Sequence, residues 1–139
     1  MVSKTPADDV RVAIRTDADV VTARHEARAI GAGLGFSSTD LTLLATAISE
    51  IARNITTYAG EGEVALRVLD NGGRRGIEVV ATDAGPGIDD VELAMQDGYT
   101  TGSGLGLGLP GTRRLVDEFE LRTQPGSGTS VRLVKWTRA

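Results

Sequence analysis

The run from Gly102 to Gly111 constrains this chain more than any other feature, because half of its ten residues are glycine. Leucines alternate with the glycines, and a segment of helical character, Arg113–Val116, follows. Backbone N–H groups of such a loop can converge on one anion at a helix N-terminus, where the helix dipole favours negative charge. Pro110 is compatible with the first turn of that helix. The run predicts a phosphate-binding loop that opens a helix; a mobile linker is the alternative.

Two common nucleotide-binding motifs fit this run poorly. A P-loop ends in Gly-Lys-Ser/Thr, and the sequence has no such ending. Gly106, Gly108 and Gly111 have the spacing of GxGxxG, but the run does not follow an early strand in a strand–helix–strand unit. The chemistry of this loop must therefore be inferred together with other segments.

Composition excludes several classes of site. The chain has 139 residues, which is the size of one domain, and it contains no cysteine. Disulfides, iron–sulfur clusters, thiol nucleophiles and thiolate zinc sites are therefore excluded, and the single histidine, His25, argues against a Ser-His-Asp triad. A net charge of −4 argues against nucleic acid or an anionic membrane as the main partner. No apolar run approaches the roughly 20 residues of a membrane span, and no secretory signal is visible, so a cytoplasmic location is expected.

Hydrophobic periodicity predicts one domain over residues 10–139, preceded by a flexible N-terminus over 1–9. Strands alternate apolar and polar residues and occur mostly as hairpins, whereas the helices are separate, which predicts an α+β two-layer sandwich with a mixed, mostly antiparallel sheet and helices on one face. The predicted elements are a strand over 10–15, a helix over 17–34 capped by Asp17, a helix from Ser37 or Ser38 to about Tyr58, strands over 64–68 and 77–81, a short helix within 88–97, a helix from the glycine run to about Glu118, and strands over 120–123 and 130–136.

Glu50 and Asn54 lie one helical turn apart, so both side chains leave the same face of the second helix. A carboxylate in this position can accept a proton from an attacking hydroxyl or water. An amide oxygen is a hard ligand that suits Mg²⁺. By itself the pair also fits a solvated helix face.

The sequence Asp83-Ala84-Gly85-Pro86-Gly87 follows a predicted strand directly. A carboxylate at the end of a strand can accept a hydrogen bond from an exocyclic amino group such as that of adenine. Glycines allow a planar ring to lie against the backbone. An ordinary turn is the alternative, since Asp, Gly and Pro all favour turns.

The order of these segments is more specific than any one of them. With AISEIARNI around Glu50, DAGPGI at 83–88, GLGLGLPGTRRLVDEFEL at 104–121 and the ending around Lys135-Trp136, the chain resembles the GHKL ATPase superfamily, and within it the RsbT-type serine/threonine kinases. The resemblance implies that Glu50 is the general base, that Asn54 is a Mg²⁺ ligand and that Asp83 contacts the adenine amino group. It also implies that the remaining nucleotide contacts come from Gly85, Gly87, Gly102, Gly104, Leu105, Gly106, Leu107, Gly108 and Thr129, with Gly87 under the ring and Thr129 supporting it.

This resemblance implies a function and its partners. The expected activity is transfer of a phosphoryl group from ATP, with Mg²⁺, to a serine or threonine of a STAS-domain protein in bacterial partner-switching or stressosome signalling. The expected second partner is a serine phosphatase that the kinase activates by binding. The short stretch between Gly87 and Gly102 suggests a small stand-alone kinase. An anti-sigma factor kinase and a non-catalytic ATP-binding module are the alternatives.

Overall fold

A computed structural model describes residues 10–87, 95 and 108–138 of the chain. The predicted flexible N-terminus, the predicted helix within 88–97 and most of the glycine-rich run fall outside these residues. The described elements are β1 (Val10–Ile14), α1 (Asp17–Leu34), α2 (Ser38–Asn54), a π-helical segment (Ile55–Ala59), β2 (Gly62–Asn71), β3 (Arg74–Asp83), α3 (Gly108–Arg114), β4 (Glu118–Thr123) and β5 (Thr129–Trp136).

The five strands form one sheet in the order β1-β2-β3-β5-β4. All four pairings among the described strands are antiparallel, in line with the predicted mostly antiparallel sheet. Two of the pairings are hairpins between strands consecutive in sequence, which is the arrangement that short turns favour. The predicted α+β sandwich, with its separate helices and strand hairpins, is confirmed.

The core lies between one face of the sheet and the helices α1 and α2. Alternate strand residues such as Leu66, Val79 and Leu133 are fully buried on this face. An apolar stripe with the 3.6-residue period of a helix runs along the second helix and faces them, which places its large apolar side chains out of water. Every member of that stripe is buried: Leu41, Leu44, Ala45, Ile48, Ala52 and Ile55.

The opposite face of the sheet is polar and carries several ion pairs. Arg132 contacts Glu78 at 2.7 Å, and Glu78 also pairs with Arg67 at 3.2 Å. The hydrogen bond to Glu78 raises the pKa of Arg132 further above its usual value. A second pair joins Arg11 to Glu63 at 2.7 Å. Since such half-exposed pairs contribute little to stability, the fold depends on the apolar face.

Helix α1 begins with a capping box one residue earlier than predicted. Thr16, rather than Asp17, is the N-cap, and its side chain accepts from the Asp19 N–H. The Asp19 carboxylate accepts in return from the backbone N–H groups of Thr16 and Arg15 at 3.0 and 2.9 Å. These two backbone hydrogen bonds, with that of Arg15 the stronger, lower the pKa of Asp19. Asp17 is already the first helical residue, where its negative charge interacts favourably with the helix dipole.

We expect Asp19→Asn to destabilise the protein at neutral pH. The lowered pKa means that the ionised carboxylate stabilises the fold above the ordinary pKa of an aspartate, and that this contribution is lost as the pH falls through the pKa of folded Asp19. The difference in unfolding free energy between wild type and variant, measured with urea from pH 7 downward, should therefore shrink in acid. Asp17→Asn is the control, because Asp17 lies in the same turn. Equal pH dependence in both variants would contradict the capping role.

Two predicted helix ends are corrected. The α-helical part of the second helix ends at Asn54, and the π-helical segment continues it to Ala59, so the predicted end near Tyr58 marks the π-helix rather than the α-helix. Helix α3 ends at Arg114 rather than near Glu118, because Glu118 already begins β4. Neither helix end can be located from the spacing of apolar residues, because the hydrophobic pattern continues where the backbone changes its conformation.

Candidate functional site

One row of residues crosses the sheet at the end nearest the π-helical segment. The antiparallel registers align Ile14, Gly62, Asp83, Thr129 and Thr123 from β1 to β4. The row faces the helical layer: a Cβ added to Gly62 would lie 2.8 Å from the Ile55 Cγ2 atom and 3.1 Å from the Asp83 Cβ atom. The sheet thus places Asp83 and Thr129, which were predicted separately to contact adenine, side by side.

Asp83 is the last residue of β3 and its side chain is fixed from one side. Its Oδ1 atom accepts a hydrogen bond from the Gly85 N–H at 2.9 Å, as in an Asx turn. Within the described part of the chain, no donor reaches the second oxygen, Oδ2. One carboxylate oxygen therefore orients the side chain, and the other can accept a hydrogen bond from a ligand.

Thr129 is held by a threonine that sequence reasoning missed. The Oγ1 atoms of Thr123 and Thr129 lie 3.0 Å apart, and Thr123 Oγ1 donates to the Gly128 carbonyl at 3.0 Å. In the sequence, Thr123 and Thr129 lie on either side of the turn at 124–128, which places the two residues near each other. Only the register, however, shows that these two hydroxyls share a face.

The loop over 83–87 is packed tightly between two other segments. A Cβ on Gly85 would lie 2.6 Å from the Ala59 Cβ atom of the π-helical segment. On the other side, the Gly126 N–H donates to the Pro86 carbonyl at 2.6 Å, and a Cβ on Gly87 would meet the Gln124 carbonyl oxygen. The glycines at 85 and 87 are thus required by packing, and the placement of Gly87 under a ring stays a prediction.

Gly128 joins the same packing from the β4–β5 turn. Its φ is +88°, and a Cβ there would meet the backbone carbonyl oxygen of Asp83. We expect Gly128→Ala to lower the free energy of unfolding by about 2 kcal/mol or more, since it adds backbone strain to a steric clash. Urea denaturation measures this change.

Gly126→Ala is the matched control for that variant. Gly126 has a similar φ of +81°, but nothing lies within 4 Å of its added Cβ, so only the strain of about 1–2 kcal/mol applies. Equal loss of stability in both variants would show that the contact of Gly128 with the Asp83 strand end is unimportant.

Glu50 and Asn54 lie on the C-terminal part of α2, as predicted. The Glu50 side chain is 15% exposed, and its Oε2 atom forms an ion pair with Arg53 Nη1 at 2.9 Å. Asn54 is half-buried and is the last residue of α2. Arg53, which was not predicted to matter, holds one oxygen of the carboxylate and so orients the group.

The π-helical segment connects this helix end to the sheet row. It contacts β2 and β3, with Ile55 facing Gly62 and Ala59 facing Gly85. Asn54 directly precedes Ile55, so the helix end and the Asp83 strand end are joined through one layer of contacts. The structure therefore brings two of the three predicted segments to a common edge of the sheet.

The third segment, the glycine-rich run, is described only from Gly108 onward. Gly108 has a φ of +70° and begins α3, and its carbonyl accepts from Thr112 Oγ1 at 2.9 Å. Leu109 and Pro110 are buried, and α3 packs against α2. The predicted helix after the run is confirmed. The remaining predicted phosphate contacts lie outside the described residues: Gly102, Gly104, Leu105, Gly106 and Leu107.

A magnesium site here would need ligands from the nucleotide. Among the described residues, no three His, Cys, Asp or Glu side chains lie close enough to hold a metal. Mg²⁺ in nucleotide sites uses one or two protein oxygens together with phosphate oxygens and water. The amide of Asn54, one turn beyond Glu50, fits that role.

Two cavities border the described residues. One, of about 460 Å³, lies at the strand ends and includes Gly62 and Asp83 in its lining; the other, of about 200 Å³, lies on the polar face between Arg11, Arg67 and Glu78. Glu50 and Asn54 line neither of these two cavities as far as the described ranges extend. Separately, no described helix has the length and apolarity to span a membrane.

Comparisons with known proteins show the family of the chain. Residues 13–135 match the histidine kinase-like ATPase domain family. The chain is 44% identical over 131 residues to the serine/threonine-protein kinase RsbT of Bacillus subtilis, covering 94% of this chain and 98% of that protein. It is 34% identical over 122 residues to an anti-sigma F factor of Caldanaerobacter subterraneus, covering 82% of each.

A solved structure gives the same fold. The crystal structure of the RsbU and RsbW domains of a Mycobacterium tuberculosis protein superimposes with a TM-score of 0.63 at 21% identity, covering 94% of this chain and 33% of that one. The predicted fold class and the predicted likeness to RsbT-type kinases are confirmed.

Proposed function

The chain belongs to the histidine kinase-like ATPase domain family, and on that premise we propose that it transfers the terminal phosphoryl group of ATP to a serine or threonine of a STAS-domain regulatory protein. The observation that carries the proposal is the convergence of the Asp83–Thr129 row with the Glu50 helix end at one edge of the sheet. The chain has the activity of a protein kinase in partner-switching signalling, as the kinase and anti-sigma relatives indicate.

The purine end of the proposed site is the sheet row. Asp83 presents Oδ2, while Gly85 holds Oδ1. Thr129 lies beside it as its register partner. The exocyclic amino group of adenine donates two hydrogen bonds and so suits a carboxylate beside a hydroxyl.

The phosphate end of the proposed site is the α2–α3 side. Asn54 would hold Mg²⁺ through its amide oxygen, and the metal would neutralise phosphate charge. Backbone N–H groups of the glycine-rich run would bind the phosphates from the other side. Because α3 packs on α2, the end of that run is fixed relative to Glu50 and Asn54.

Glu50 would act as the general base in the transfer. The hydroxyl proton of the acceptor passes to the Glu50 carboxylate as the hydroxyl oxygen bonds to the terminal phosphorus, and the bond to the bridging oxygen breaks to release ADP. Arg53 holds Oε2 at 2.9 Å and so orients the carboxylate that would receive the proton. Such transfer requires mainly alignment and charge stabilisation, so no covalent enzyme intermediate is needed.

The partners in this proposal are regulatory proteins of the cytoplasm. The acceptor is a STAS-domain antagonist or scaffold, and the released kinase binds and activates a serine phosphatase. The anti-sigma F relatives favour a second candidate, a kinase that also sequesters a sigma factor. Stable co-purification with a sigma factor would favour that candidate.

Incubation with γ-labelled ATP, Mg²⁺ and candidate STAS-domain proteins from the same organism tests the proposal. We expect label on one serine or threonine of a STAS protein, located by mass spectrometry, and no transfer when EDTA is present. Binding of ATP without transfer to any STAS protein would overturn the kinase assignment and favour a non-catalytic ATP-binding module.

A further inference from the structure

We infer that Thr123 determines nucleotide specificity by fixing the Thr129 hydroxyl as a hydrogen-bond acceptor toward the ligand. Thr123 is the register partner of Thr129 on β4, one strand farther from Asp83. The inference deepens the proposed function and rests on it, because it concerns the base of the nucleotide bound at the Asp83 row.

The direction of the two hydrogen bonds follows from proton counting. The Gly128 carbonyl can only accept, so Thr123 Oγ1 supplies the proton of their 3.0 Å contact. A hydroxyl has a single proton, and that of Thr123 is therefore committed. In the 3.0 Å contact between the two hydroxyls, Thr129 must be the donor. The Thr129 proton then points to Thr123, and its lone pairs remain for a ligand.

The backbone holds this arrangement in place. Gly128 has a φ of +88° and lies against the Asp83 carbonyl, so its own carbonyl group cannot shift without breaking that packing. The Gln124 N–H also donates to the Gly128 carbonyl, at 3.4 Å. The acceptor that takes the proton of Thr123 is thus part of a closed turn.

Two acceptors consequently stand side by side on β3 and β5. An ionised Asp83 offers only lone pairs, with Oδ1 already bonded to Gly85. Thr129 adds a second acceptor. A group placed between them is bound well only if it donates twice, as the 6-amino group of adenine does. A 6-oxo purine presents a carbonyl oxygen instead, and this oxygen would face the lone pairs of Asp83 and Thr129 with no proton between them.

Binding of Mg-ATP and Mg-ITP to wild type and two Thr123 variants, measured by calorimetry, tests the inference. ITP carries a 6-oxo group and a proton on N1, where ATP has a 6-amino group and an unprotonated N1. We expect Thr123→Val to lower the preference for ATP over ITP by about tenfold, because the Thr129 proton becomes available to a carbonyl. Thr123→Ser, which retains the hydroxyl, should keep the wild-type preference. Thr123→Ala removes the same hydroxyl and replaces the valine variant if that one does not fold.

The outcomes separate the inference from the proposed function. The inference would be overturned if the valine and alanine variants kept the wild-type ratio of ATP affinity to ITP affinity. This includes the case in which both affinities fall by the same factor. Either result would leave the proposed function standing, because ATP would still bind. A wild type that binds neither nucleotide would overturn the proposed function and the inference together. A ratio that falls in the valine or alanine variant and is restored in the serine variant would support the role of Thr123.

Discussion

Glu50→Gln should reduce phosphoryl transfer to the acceptor protein by about 10²–10⁴-fold while ATP binding remains close to that of wild type. Glutamine keeps the shape of the side chain and can still accept the hydrogen bond from Arg53, but it cannot take a proton from the acceptor hydroxyl. The Glu50 side chain is largely shielded from solvent, and water therefore replaces it poorly as a base. Rates are measured with labelled ATP under saturating nucleotide, and affinity is measured by calorimetry.

Glu63→Gln provides the control for that variant. Glu63 also pairs with an arginine, Arg11, but it lies on the polar face of the sheet, away from α2. Its substitution should leave the transfer rate unchanged. Transfer by the Glu50→Gln variant at the wild-type rate would show that Glu50 is not the base.

Asp83→Asn should weaken ATP binding by about 10- to 100-fold, as expected for the loss of a charged hydrogen bond. The amide oxygen can still accept from the Gly85 N–H in the position of Oδ1, so the turn keeps its geometry. The amide nitrogen then takes the position of Oδ2 and turns a donor toward the amino group of adenine. Calorimetric titration with Mg-ATP gives the change in dissociation constant.

Asp70→Asn is the matched control, because Asp70 also accepts from a backbone N–H in a turn, that of Gly73 at 3.1 Å. It lies at the opposite end of β2 from Gly62 and outside the sheet row. Its affinity for ATP should equal that of wild type. If the Asp83→Asn variant bound ATP with wild-type affinity, the assignment of the purine end to the sheet row would fail.

The fold could be predicted from the sequence where burial is periodic. The stripe from Leu41 to Ile55 has one helical period, and Leu66 and Val79 alternate with polar neighbours on paired strands. Such patterns are set by which face meets the core, and they survive small changes in backbone geometry. The same reasoning identified the Glu50–Asn54 pair and the Asp83 strand end, which are local in sequence.

Features that depend on register or on non-local contacts could not be predicted. The alignment of Thr123 with Thr129 requires the β4–β5 pairing, and the change from α-helix to π-helix after Asn54 leaves the apolar spacing intact. The cap at Thr16 was misplaced by one residue because Asp17 is also a good N-cap residue. Local preference could not choose between them.

Glycine illustrates the limits of interpretation from motifs. Gly87 was predicted to make room for a ring, yet the direction of its missing side chain is filled by the backbone of Gln124. A glycine motif records that a side chain is excluded, whereas the group that excludes it can be identified only from the fold. The same holds for Gly85, whose neighbour is Ala59.

A crystal structure of the chain with Mg²⁺ and a non-hydrolysable ATP analogue would show whether the sheet row and the end of α2 form one nucleotide site. The proposed site requires the adenine amino group within hydrogen-bonding distance of Asp83 Oδ2, the metal on the Asn54 amide oxygen and the terminal phosphate facing Glu50. An analogue bound at another part of the surface, or a base that lies away from the Asp83–Thr129 row, would contradict it.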